Sequence, residues 1–169
     1  MQKIIGDYSA FIANINSGLE KCGISNNELA MCDHICYRVE TEARYQEMVV
    51  TIGKLAQKID ETIVSGRLIT TFEFDEPLQV AGWSISCLEL PQPKPGSPYT
   101  EGLEHAEFVT ITSLAKFRAC HSDLPFNDKG MDKTINPELG LKHAGISVKF
   151  HEQPLGAVVR IEQRLKLNN

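Results

Sequence analysis

The chain has 169 residues, 42% of them hydrophobic, with 17 Lys and Arg against 22 Asp and Glu and a net charge of -5 at pH 7. This is enough apolar material for one domain or two packed half-domains. The acidic balance argues against a nucleic-acid partner, whose phosphates call for a basic surface. No stretch approaches the ~20 apolar residues of a membrane span, and MQKIIGDYSA lacks the charged start and apolar core of a secretory signal. The expected setting is cytoplasmic, with no membrane partner. Five cysteines, an odd number in a chain of ordinary core size, read as reduced thiols rather than a disulfide framework.

From the N-terminus, Ile4, Tyr8, Phe11, Ile12, Ile15, Leu19 and Cys22 recur at helical spacing, and GISNNELAM offers a turn and a short second helical piece. Residues 1–31 are therefore expected to form a helical extension. CDHICYRVE then reads as a strand, with Ile35, Tyr37 and Val39 on one face and His34, Cys36 and Arg38 on the other. In TEARYQEMVVTIGKLAQKI the stripe Tyr45, Met48, Val49, Ile52, Leu55 and Ile59 predicts an amphipathic helix. ETIVSG, LITTFEF and WSISCLEL follow as three strands and complete a β-α-β-β-β module over 32–90.

PQPKPGSPYTEG, rich in proline and glycine, predicts a connector over 91–102. The same order then returns over 103–152. EHAEFVTI alternates as a strand, SLAKFRACH is a helix opened by Ser113 as N-cap, and DKTIN, PELGL and GISVKFH are strand candidates. PLGAVVRIEQRLKL, built of helix formers, predicts a C-terminal helix over 153–169. The fold class is thus α+β, with two tandem β-α-β-β-β modules between a helical extension and a terminal helix. Phosphate-cradling glycine loops and nucleophile elbows are absent from the sequence, which leaves nucleotide binding and triad chemistry unsupported.

Two tandem modules with a histidine near the start of each first strand resemble the vicinal oxygen chelate superfamily of glyoxalase I, methylmalonyl-CoA epimerase and extradiol dioxygenases. More closely, DHICYRV, EPLQVAGWSISCLELP, EGLEHAEFV, INPEL and SVKFHEQPL resemble the YecM-like bacterial proteins, and this resemblance spans nearly the whole chain. It implies a cup-shaped mixed sheet with helices on its convex side and metal ligands on its concave side, drawn from the first and fourth strand of each module. Carried onto this sequence, the ligands are His34, Glu89, His105 and His151, the last where the superfamily usually has a carboxylate. Glu162 is the alternative fourth ligand. Imidazole and carboxylate donors suit a divalent ion of Mn, Fe, Co, Ni or Zn.

Glu107 shares a strand face with His105 and is the expected proton-moving base. The implied function is a metal-dependent isomerase, epimerase, lyase or dioxygenase acting on a small oxygen-rich molecule. The alternatives are a metal-free cup that binds or sequesters a small molecule, and a scaffold whose N-terminal helices present a partner surface. Arg38, on the His34 face, is expected either in a salt bridge or against an anionic group of the substrate. Cys32, His34 and Cys36 form a rival donor set on one strand face. Its members are spaced by roughly 6.5–7 Å, whereas zinc holds nitrogen and sulfur at about 2.0–2.3 Å, so the set closes poorly on one ion. His121 is expected at a helix end and His143 in a turn.

Overall fold

The computed structural model describes residues 1–64, 66–96 and 98–167, with the side chains of residues 166 and 167 excepted. Ser65 of ETIVSG, Ser97 of the connector, and Asn168 and Asn169 of the predicted terminal helix lie outside these. Ordered along the chain are α1 (Gln2–Ile5), α2 (Tyr8–Lys21), a 3-10 turn (Asn26–Glu28), β1 (Leu29–Arg38), α3 (Glu42–Ile52), β2 (Ala56–Val64), β3 (Arg67–Val80) and β4 (Trp83–Pro91). The second half follows with β5 (Gly102–Thr110), α4 (Leu114–Cys120), β6 (Phe126–Asn127), β7 (Leu139–His143), β8 (Ile146–His151) and α5 (Leu155–Leu167).

All eight strands share one mixed sheet in the order β2-β3-β4-β1-β5-β8-β7-β6. In each half the first and fourth strands pair in parallel, β1 with β4 and β5 with β8, and the halves meet through the antiparallel pair β1–β5. The order therefore reads alike from either edge. β2 and β6 remain as edges, so the sheet curves into a cup without closing.

Local chemistry sets several boundaries that periodicity misplaces. Gly6, at φ 83, divides the expected N-terminal helix, and Asp7 restarts it as α2 by accepting from the Ala10 amide. Thr41 caps α3 in the same way, but the helix stops at Gly53. Leu55, predicted on its apolar stripe, is 47% exposed in the turn beyond, and Ile59 belongs to β2. β1 begins at Leu29, directly after a capping box formed by Ser25 and Glu28. β3 runs past LITTFEF to Val80.

DKTIN bends instead of forming a strand. Asn136 holds φ 47, Pro137 has no donor to give a sheet, and β6 takes the expected strand's place with two residues. The β7–β8 hairpin turns through Ala144 and Gly145, both at positive φ, so His143 ends a strand rather than occupying the turn.

The apolar face of the sheet carries the core. Ile12, Ile15 and Leu19 of α2, Tyr45, Met48 and Ile52 of α3, and Leu114 and Phe117 of α4 pack with Ile35, Phe72, Leu88, Phe108 and Phe150. At Gly18 the helix α2 lies so close to β8 that a Cβ would fall 2.3 Å from Ile146 Cγ2. α5 departs from this arrangement. Its Val158 and Val159 are buried outside that core and line a cavity on the opposite, concave face, where Gln163 Nε2 donates to the Ile59 carbonyl at 2.6 Å. The terminal helix thus covers part of the cup mouth.

Candidate metal centre

A β-bulge in each central strand builds the site. Cys32 pairs with Phe108 and His34 with Glu107, which leaves Asp33 as an extra residue in β1. Likewise Cys36 pairs with His105 and Tyr37 with Leu103, which leaves Glu104 as an extra residue in β5. A bulge breaks strict alternation and lets two successive side chains serve one face. Cys32 is thereby turned into the apolar core, with burial pushing its thiol up to about 12, and the rival set of Cys32, His34 and Cys36 comes apart. Asp33 joins His34 instead.

Each bulge holds an acid against its following histidine. Asp33 Oδ2 lies 3.0 Å from His34 Nδ1 and also accepts from the Leu155 amide of α5 at 2.8 Å. Glu104 Oε2 lies 3.0 Å from His105 Nδ1 and accepts from Arg38 Nε. With Nδ1 donating to a carboxylate, both rings present Nε2 to the concave side, the tautomer that suits a metal ligand.

Both Nε2 atoms turn toward Glu107. Its Oε1 is 2.9 Å from His105 Nε2, 3.3 Å from His34 Nε2 and 2.8 Å from Lys149 Nζ. Glu89 Oε2 stands 3.7 Å from His34 Nε2. His34, Glu89 and Glu107 each offer an atom within 4.8 Å of the other two, close enough to share one ion. Two further trios meet that limit among the described residues, Asp33 with His34 and His151, and Cys36 with Glu104 and His105. None of the three trios contains both His34 and His105, although one Glu107 oxygen touches both.

His151, at the end of β8, is 2% exposed, and its Nδ1 donates to the Gln153 carbonyl at 2.6 Å. Its Nε2 is left as an acceptor 3.7 Å from Asp33 and 3.8 Å from Glu107. Register places a different residue at the corner matching Glu89. Glu89 pairs with Cys36, and the corresponding partner of Glu107 on β8 is Lys149. Glu162 lies on α5 rather than on a strand, in the wall of a cavity of about 190 Å³ that also contains His34, Glu89, Glu107 and His151. His121 is drawn away to Glu28 at 2.8 Å.

Charge dominates this cluster. Asp33, Glu89, Glu104 and Glu107 face Lys149 and Arg38 as the permanent cations in contact with them. Burial would lower the His34 pKa, but Glu107 and Glu89 outweigh it and hold the imidazole well above 6.5. His105 is likewise raised against its burial by Cys36, Glu104 and Glu107. Burial would raise Glu107, but His34 and Lys149 keep it well below the usual carboxylate range. Glu104, paired with His105 and Arg38, falls to about 2 in spite of its burial.

The donor set fits a divalent cation. His34 Nε2 and His151 Nε2 are buried without a hydrogen-bond partner among the described residues, and the acids exceed the permanent cations by two charges. Asp33, Glu104 and Lys149 were missed in the sequence because bulges and strand register decide their place. One signal was there to read: each first strand has an acid immediately before its histidine, DH and EH.

Curated relatives and solved structures agree with this architecture. Protein YecM of Escherichia coli K12 is 29% identical over 181 residues, covering 96% of this chain and 94% of its own. The structural-genomics protein EC4020 superposes with a TM-score of 0.77 at 28% identity, covering 95% of this chain and 92% of its own. A variant of Streptomyces coelicolor methylmalonyl-CoA epimerase, solved in complex with 2-nitronate-propionyl-CoA, shares the fold with a TM-score of 0.54 at 15% identity, over 74% of this chain and 98% of its own. The sequence profile described as YecM protein matches residues 1–162, and the chain belongs to the YecM family, built on the vicinal oxygen chelate fold.

Proposed function

We propose that this protein is a metal-dependent enzyme of the vicinal oxygen chelate type acting on a small oxygen-rich molecule, with proton transfer as its chemistry. The observation that carries the reading is the pair of bulges, which aim the Nε2 atoms of His34 and His105 at one buried carboxylate, Glu107. His34, Glu89 and Glu107 would hold the ion, and His105 would be the fourth donor once its Nε2 gives up the proton it now shares with Glu107. A divalent ion there supplies a Lewis acid for the oxygens of the ligand.

The other residues divide the remaining work. Glu107, held ionised by His34 and Lys149, is better suited to ligation than to taking up a proton, so the two roles expected for Glu107 and His151 exchange. His151 offers an unshared Nε2 pair to the cavity, in a ring fixed by the Gln153 carbonyl, and serves as the base. Lys149 balances Glu107. α5 restricts water at the end of the cup nearest His34, where Leu155 and Val158 line the cavity.

Elemental analysis of protein purified without a metal-affinity tag tests the reading. One equivalent of a divalent transition metal is expected, and it should be lost in His34→Gln. Protein that carries no such metal and takes none up at micromolar concentration would overturn it. The alternative, a metal-free binding cup, has one observation in its favour: protonated His34 and His105 together with Lys149 can neutralise the acids without an ion.

A further inference from the structure

Next to the metal cavity lies a larger trough of about 440 Å³. Glu89 and Lys149 line both, so a single ligand can reach from one to the other. Its lining includes two arginines of the first half. Arg38 ends β1, and Arg67 opens β3. Arg38 is 8% exposed and commits Nε to Glu104, while its Nη1 is buried without a hydrogen-bond partner among the described residues. Arg67 Nη1 is buried and unpartnered in the same way. The Tyr99 ring draws the two together, with the guanidinium carbon of Arg38 4.2 Å and that of Arg67 6.0 Å from its centroid. The connector thus places an aromatic ring against both arginines.

Unpaired buried guanidinium donors are costly, and what they lack is an acceptor, preferably an anion matched to their planar N–H groups. Neither Glu89, turned to His34, nor Glu138, paired with Lys133 at 2.7 Å, supplies one. We propose that this trough is an oxyanion subsite, in which Arg38 and Arg67 take a carboxylate or phosphate group of the ligand while its vicinal oxygens lie at the metal centre. The inference deepens the proposed function and rests on it for the second half of that statement. It narrows the ligand from a small oxygen-rich molecule to a small oxygen-rich acid.

The test separates the two readings by using metal-free full-length protein. Isothermal titration at constant ionic strength with inorganic phosphate, and separately with malonate, should show saturable one-site binding by at least one anion. Tighter phosphate binding assigns a phosphorylated ligand, and tighter malonate binding assigns a carboxylate. Arg67→Gln, at a half-buried position, should weaken binding by about tenfold or more, the loss expected for charge-assisted hydrogen bonds. Its metal content should equal that of wild type. Arg38→Lys keeps the charge beside Glu104 but loses the planar fork, and should weaken binding as well. Should neither anion bind, or should Arg67→Gln bind as wild type does, the subsite falls whatever the metal analysis gives. Anion binding in a protein that never retains metal would leave the subsite standing and remove the metal reading.

Discussion

The two halves are alike in topology and unlike in charge. Each presents an acid–histidine bulge from its first strand, Asp33–His34 and Glu104–His105. At the matching corner of the fourth strand the first half has Glu89 and the second has Lys149. The first half also has long second and third strands, of 9 and 14 residues, whereas the second has 2 and 5. The second half replaces wall with loop, and Lys133, Ile135 and Asn136 line the cavity from there. A repeated backbone thus fixes where donors can stand, and the difference between the repeats decides the charge they confer.

The largest effect is expected at the unlike corner. Lys149→Met removes the cation 2.8 Å from buried Glu107 and should destabilise the metal-free protein by about 2–3 kcal/mol, the cost of a charge-assisted hydrogen bond to a buried carboxylate, reduced because the Lys149 side chain is 32% exposed. Urea unfolding measures it. The same change leaves the centre more negative, so metal should recover more stability in this variant than in wild type. An equal response to metal in both would mean that Lys149 does not belong to the site.

The two bulges allow a matched comparison. Asp33→Asn and Glu104→Gln each weaken the carboxylate that orients a histidine, and each should reduce metal affinity by about 10–100-fold in competition with a chelator. Asp33→Asn should cost more stability, because Asp33 is 1% exposed and accepts the Leu155 amide that docks α5, whereas the pair of Glu104 with Arg38 is partly solvated, Glu104 being 33% exposed. Identical stability losses would show that α5 docking does not depend on that carboxylate.

Protonation offers a smaller, graded test. His34 and His105 have folded pKa values raised above 6.5, so in metal-free protein their stabilisation is complete below about pH 6.5 and is lost as pH rises through the folded values. Metal binding needs neutral imidazoles and should strengthen over the same range. The urea midpoint of metal-free protein should therefore fall with rising pH while the gain from added metal grows. Glu89 and Glu107 are shifted the other way, and their contribution is lost as pH falls below about 4.5. The smallest effect belongs to the surface. Arg118→Ala breaks a pair with Asp128 in which both side chains are 50% exposed, and should change stability by less than about 0.5 kcal/mol.

Period and punctuation in the sequence determined the β-α-β-β-β order of each half, the N-cap Ser113, and the candidacy of His34 and His105, because alternation and capping are local properties of the chain. Where local signals compete, the tertiary structure decided. Gly53 ended a stripe that looked helical to Ile59, and Asn136 with Pro137 turned DKTIN into loop. Which residues meet across the sheet depends on register between strands far apart in sequence, and a single bulge residue reverses every side chain beyond it. Asp33 therefore reached the site although alternation from His34 sets it on the other face. Lys149 took the corner opposite Glu107, and α5, an ordinary amphipathic helix in the sequence, came to lie over the mouth of the cup because the concave face left apolar surface there for Val158 and Val159 to bury.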